Sequence, residues 1–164
     1  MARRIVVKRG DVFEVKLNNN KKGYFQFIML DTTQLNSEVI RVFKRKYEIN
    51  ENPNLNDIIE SDIDFYAHVI IKFGIKMNLW RKIGNIPISK NITNPSFRDT
   101  KDYGTSNIEV SNKWFKWKAN ESFIEVGILN EDETKLDIGI VVTPLDIVDK
   151  MNTGKYNFVY PKYL

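Results

Sequence analysis

Cysteine is absent from the 164 residues and histidine occurs once, as His68. The first absence removes disulfides, thiolate zinc sites and cysteine nucleophiles together. The second removes multi-histidine metal centres and leaves any histidine-dependent triad resting on His68 alone. Glycine and proline are sparse, at eight and five. The glycines stand singly at 10, 23, 74, 84, 104, 127, 139 and 154, so no glycine-rich phosphate loop is formed. Long hydrophobic runs are missing too. Gly23 to Leu30 and Ile138 to Leu145 are the longest uncharged, apolar-rich stretches, far short of the roughly 18 residues that cross a membrane. The opening residues place only Ile5, Val6 and Val7 between charged pairs, which does not read as a signal peptide. These absences predict a cytoplasmic protein without metal or cofactor and with no membrane partner.

What is present suffices for a core. Apolar residues make up 42% and aromatics 12% of the chain, which argues against disorder. The length suits a single domain over 1–164. The net charge of +4 hides alternating blocks. Residues 1–46 carry 11 basic and 4 acidic groups, and residues 47–71 carry 6 acidic and no basic ones. Residues 72–118 carry 10 basic and 3 acidic groups, and residues 119–150 carry 2 basic and 8 acidic. Two readings follow: alternate blocks neutralise one another within the molecule, or a basic face meets an acidic partner or nucleic acid.

Hydrophobic periodicity predicts an antiparallel meander. Phe13, Val15 and Leu17 alternate with Glu14 and Lys16, the period-2 signal of a half-buried strand over 11–17. A turn over 18–23 leads into Tyr24 to Leu30, apolar enough for a strand buried on both faces. Residues 31–36 read as another turn and 38–43 as a third strand. Asn56 is placed to N-cap a short helix over 57–60. Residues 65–71 and 77–83 read as a hairpin turning at Gly74, with a short helix over 64–72 as the alternative. Residues 85–112 read as a long irregular excursion, which in an ordered domain is often functional. Strands are predicted at 113–118 and 139–142, an exposed turn at 131–135, and an ambiguous segment at 121–129. The clearest helix has Thr143 as N-cap, Pro144 at its first position, Asp146 closing a capping box and Gly154 at its end. Tyr156 to Tyr160 would return to the sheet. The expected class is α+β: a predominantly antiparallel, strongly twisted sheet or partly open barrel with two or three short helices.

No constellation supplies a nucleophile, its base and an orienting group together. The carboxylate pairs Asp62 with Asp64 and Glu131 to Glu133 read as solvated surface, and His68, inside an apolar run, as a core imidazole. A metal hydrolase would need a divalent ion held mainly by carboxylates. Trp114-Phe115-Lys116-Trp117-Lys118 and Trp80-Arg81-Lys82 interleave aromatics with cations. Such strands are core packing, protein-partner anchors, or base-stacking platforms with phosphate-holding cations.

Several short motifs carry a resemblance. The opening Lys8-Arg9-Gly10-Asp11-Val12-Phe13-Glu14-Val15, with Gly23-Tyr24 leading a strand, resembles the immunity protein 26 family of bacterial polymorphic-toxin systems. Trp80-Arg81-Lys82-Ile83-Gly84, Pro95-Ser96-Phe97-Arg98 and Gly154-Lys155-Tyr156 resemble a subset of that family, so the likeness spans most of the chain. The resemblance implies a small cytoplasmic protein that binds and neutralises a cognate protein toxin by occlusion, without catalysis. It brings no interface residues with it. Composition nominates Trp80, Arg81, Arg98, Trp114 and Trp117 as partner-binding anchors. The Gly-Asp-Val opening also resembles the first strand of barrel-type endoribonuclease toxins, which makes a basic RNA-binding β-barrel the alternative.

Overall fold

Alternating side chains in the first third build strands where the pattern predicts them. A computed structural model of the chain describes residues 3–164. Strands β1 (Asp11–Lys16), β2 (Lys21–Asp31) and β3 (Ser37–Phe43) form an antiparallel meander. β2 is buried on both sides as expected: Phe25 and Phe27 enter one core, while Tyr24 and Ile28 enter two others on the opposite face. A buried polar side chain there, Gln26, donates to the Gly10 and Ile86 carbonyls and accepts from Arg41. A buried amide so satisfied costs little to keep in place.

The remaining elements are β4 (Tyr47–Glu48), α1 (Leu55–Ile59), β5 (Ile63–Val69), α2 (Ile71–Lys76), β6 (Trp80–Asn85), β7 (Ser96–Thr100), β8 (Trp114–Lys118), β9 (Ile124–Gly127), β10 (Asp137–Ile138), β11 (Val141–Val142) and α3 (Pro144–Thr153). A first sheet runs β11-β5-β3-β2-β1-β6, with β4 paired to the start of β2. A second runs β10-β7-β8-β9. Two pairings, β11 with β5 and β10 with β7, are parallel, and the rest are antiparallel. Among the described residues the architecture is the expected antiparallel-rich α+β with three short α-helices, and neither sheet closes into a barrel. Among the described residues no helix is long and apolar enough to cross a membrane.

The largest core lies between one face of the first sheet and helices α2 and α3. Phe13, Phe25, Phe65 and Trp80 meet Ile147 and Met151 of α3 there. The predicted capping box holds α3 in place: the Thr143 hydroxyl accepts from the Asp146 N–H at 3.2 Å, and the Asp146 carboxylate accepts from the Thr143 N–H at 2.9 Å. Gly154 ends the helix at φ +84°, the left-handed cap glycine favours.

Four expectations are corrected. Residues 65–71 and 77–83 are no hairpin: β5 pairs with β3 and β11, whereas β6 pairs with β1 at the far edge. By the pairing order β5 and β6 run parallel, and parallel strands need a crossover, which α2 supplies. Helix α1 is capped by Asn54, whose side chain accepts from the Asp57 N–H at 2.9 Å; Asn56 lies inside the helix. That earlier start turns Leu55, Ile58 and Ile59 toward the third core. The irregular segment 85–112 contains β7, which is specified by its neighbours β8 and β10 more than by its own pattern. Tyr156 to Tyr160 form no strand. Tyr156 and Phe158 stack at 4.9 Å and cover the largest core, while the tail's backbone meets residues 109–111 at a single bridge.

The charge blocks partly neutralise one another. Lys21 pairs with Glu48, Lys101 with Glu125 and Lys116 with Glu133 across adjoining blocks. The first basic block also pairs with the second, through Lys82 and Asp11 at 2.9 Å.

Candidate binding surface

Three of the five nominated anchors are core side chains. Trp80 is 4% exposed, and Trp114 and Trp117 are each 1% exposed. Every indole N–H is satisfied internally: Trp80 donates to the Ile71 carbonyl at 3.0 Å, Trp114 to the Ser111 carbonyl at 2.9 Å, and Trp117 to Asp31 Oδ2 at 2.9 Å. Trp80 lies edge-on to Phe25 and close against Gly74, so the glycine there provides room for a ring. A sealed indole has no surface to give a partner. Arg98 is half-buried, with Nε donating to the Leu136 carbonyl at 3.0 Å and its guanidinium over Trp114 and Tyr163. Arg81 alone is well exposed, bound to Glu14 at 3.1 Å. Burial would raise the Glu14 carboxyl, but hydrogen bonds from Tyr24 and Arg81 and the charges of Lys22 and Arg81 hold it below the usual range.

The structure brings together a different set. Asp31, at the end of β2, is fully buried and accepts four hydrogen bonds. Oδ2 takes His68 Nε2 at 2.8 Å and Trp117 Nε1 at 2.9 Å; Oδ1 takes the Asn120 N–H at 2.9 Å and the Thr33 N–H at 3.0 Å. One carboxylate thus joins β2 and β5 of the first sheet to β8 of the second. Burial alone would raise its pKa, but the donors from Trp117, Asn120 and His68 outweigh this and lower it. His68 is pushed down, because burial outweighs the attraction of Asp31. Its Nδ1 is buried without a partner, so the proton sits on Nε2 and the ring is neutral. Sealed under Phe97 and Trp117, the imidazole is a structural donor.

Both shifts have the same sign for stability. A group with a depressed folded pKa contributes stability above its unfolded value and loses it as pH falls toward the folded value. For His68 that loss begins near the unfolded value of 6.5, and for Asp31 near 3.8. The unfolding free energy measured in urea is expected to fall between pH 7.5 and 5.5, by at most about 1.4 kcal/mol per pH unit for the single imidazole. His68→Gln should flatten that slope; an unchanged slope would assign it to other groups.

Asp31 also organises the turn that follows. Thr32 donates to the Asn120 side chain at 2.8 Å, Thr33 to the Glu121 carbonyl at 2.7 Å, and Gln34 to the Gly139 carbonyl at 2.5 Å. The Ser37 N–H closes the turn on the Gln34 carbonyl at 3.0 Å. Its two central residues, Leu35 at φ +57° and Asn36 at φ +52°, are both left-handed, the type I′ geometry that suits a hairpin. Asparagine tolerates this. A leucine there costs about 1–2 kcal/mol, and Leu35 is 83% exposed, so no burial offsets it.

Beside this turn lies an open groove of about 930 Å³. Val7, Phe27, Met29, Leu30, Leu35 and Ile70 give it apolar walls, and Arg9 and Lys72 stand at its edge. Its one lining carboxylate, Glu38, accepts from the Ile71 N–H at 2.9 Å, and burial raises its pKa. Among the described residues no group of three or more histidine, cysteine, aspartate or glutamate side chains is arranged to hold a metal.

The molecule is therefore a small two-sheet α+β protein with a sealed imidazole and an apolar groove edged by cations. A family model, Immunity protein 26, matches residues 8–108, more than half of the chain, and the chain belongs to that family. The match spans β1 to β7, so it includes the Asp31 turn, α2 and most of the groove. No curated protein and no solved structure matches the chain.

Sequence reasoning passes over Asp31, Leu35, Arg9 and Lys72 as site residues. Only Leu35 leaves a local trace: a two-residue turn ending in Asn carries leucine where Asn or Gly is the usual first residue.

Proposed function

We propose that this protein neutralises a cognate toxin of a bacterial polymorphic-toxin system by binding and occluding it in the cytoplasm, with no turnover of its own. Membership of the immunity protein 26 family is the observation that carries the reading. The site chemistry supports it. The one imidazole is sealed and committed to Asp31, so it cannot reach a substrate. Occlusion needs affinity and specificity, which apolar contact and charged rims supply. The RNA-binding alternative loses support, since its stacking platform would have been the tryptophans that lie in the core.

Co-expression should rescue a bacterial host from the toxin encoded by the neighbouring reading frame. With purified components, inhibition should rise linearly and saturate near one protein per toxin. Complete inactivation at a small fraction of that ratio would replace occlusion with catalysis, and full toxin activity at excess protein would refute the reading.

A further inference from the structure

We propose that the toxin docks on the groove beside the β2–β3 turn, with Leu35 as an apolar knob and Arg9 and Lys72 facing carboxylates of the toxin. This rests on the immunity reading above and names its contact surface.

Three independent features point there. The first is Leu35, an almost wholly exposed leucine held in a backbone conformation that disfavours it. Nothing inside the molecule gains from that choice, and strain of this kind gathers at binding sites. The second is rigidity. Thr32, Thr33 and Gln34 each bond across to another segment, and the buried Asp31 fixes the start of the turn. A knob already fixed loses little freedom on contact.

The third is charge. Arg9 and Lys72 form no ion pair among the described residues, although eight pairs occupy other charged groups. Arg9 holds only the Ile28 carbonyl, through Nε; Glu38 accepts from the Ile71 N–H and feels the charge of Lys72 without pairing with it. The cationic edge continues onto α2, where Lys72 and Lys76 flank the exposed ring of Phe73. A complementary surface offers an apolar pocket for Leu35 with carboxylates beside it. The groove walls are mainly aliphatic, and bases stack on aromatic faces; a protein fits the groove better than RNA does.

Full-length wild type, Leu35→Asn and Lys72→Glu are titrated calorimetrically with the toxin domain encoded by the neighbouring reading frame, with urea melts alongside. L35N should bind at least 10-fold more weakly while unfolding at the same or higher urea concentration, because asparagine accepts the left-handed backbone. K72E should bind several-fold more weakly, by a margin that shrinks in high salt. Weaker binding by a protein at least as stable cannot be laid to misfolding. If wild type and both variants bind alike, the docking surface is wrong and the immunity reading stands. If wild type ignores the toxin, both fail, whether or not a single-stranded RNA oligomer binds in its place.

Discussion

Replacing Asp31 by alanine is expected to cost about 3–5 kcal/mol, the range seen when one partner of a buried charged network is removed. Four donors lose their acceptor at once: the His68 and Trp117 ring N–H groups and the backbone N–H groups of Thr33 and Asn120. Each stranded donor costs roughly 1–3 kcal/mol if it stays buried. The two backbone donors lie nearer the surface and can find water, so the indole and imidazole dominate the loss. Against a typical total stability of about 5–15 kcal/mol, such a loss leaves a protein that unfolds early in urea. Asp31→Asn should cost less, because its amide oxygen can still accept from the indole and imidazole, which leaves the NH2 toward the two backbone donors that can reach water. Urea unfolding followed by tryptophan fluorescence measures both variants. A cost below about 1 kcal/mol for D31A would mean the sheets are joined by other contacts.

The sequence makes some of this legible, and the divide follows sequence separation. Strands β1 to β3 are visible because one buried face imposes a period of two on nearby residues. Helix α3 is visible because Thr143, Pro144, Asp146 and Gly154 act on the backbone within a few positions of themselves. The Asp31 hub is invisible because His68, Trp117 and Asn120 reach it from 37, 86 and 89 residues away. The crossover through α2 is hidden for a related reason: two apolar runs either side of a glycine look like a hairpin, whichever edge of the sheet the second strand joins.

The tryptophans stand out in the sequence because an interleaved aromatic and cationic strand suits a core and an interface equally well. Trp114 and Trp117 are three residues apart, a spacing that in a regular strand puts one of them outside. An irregularity in the β8–β9 register at Trp114/Phe115 accompanies the burial of both. Binding residues are harder still to read. Arg9, Leu35 and Lys72 come from the approach to β1, a turn and a crossover helix, and only the folded sheet sets them around one groove.

Gly139→Ala should be nearly as damaging as the loss of Asp31, at about 3 kcal/mol, the upper part of the overpacking range. A methyl placed on Gly139 would stand 2.6 Å from Cζ2 of Trp117 and 2.8 Å from Cβ of Phe97, and closer still to the indole Cη2. Neither ring has room to withdraw. Trp117 is held by Asp31 and packed against Phe123 at 4.9 Å, and Phe97 lies 4.3 Å from His68. The backbone cannot retreat either, since the Gly139 N–H donates to the Arg98 carbonyl at 2.9 Å and its carbonyl accepts from Gln34. The contact itself is testable by a double-mutant cycle in urea. Trp117→Leu alone leaves a cavity and is costly, yet it clears the space the new methyl needs, so G139A should cost at least about 1 kcal/mol less in that background. Costs that simply add would show that the methyl is accommodated without meeting the indole, and that the packing between the two sheets is looser than these distances require.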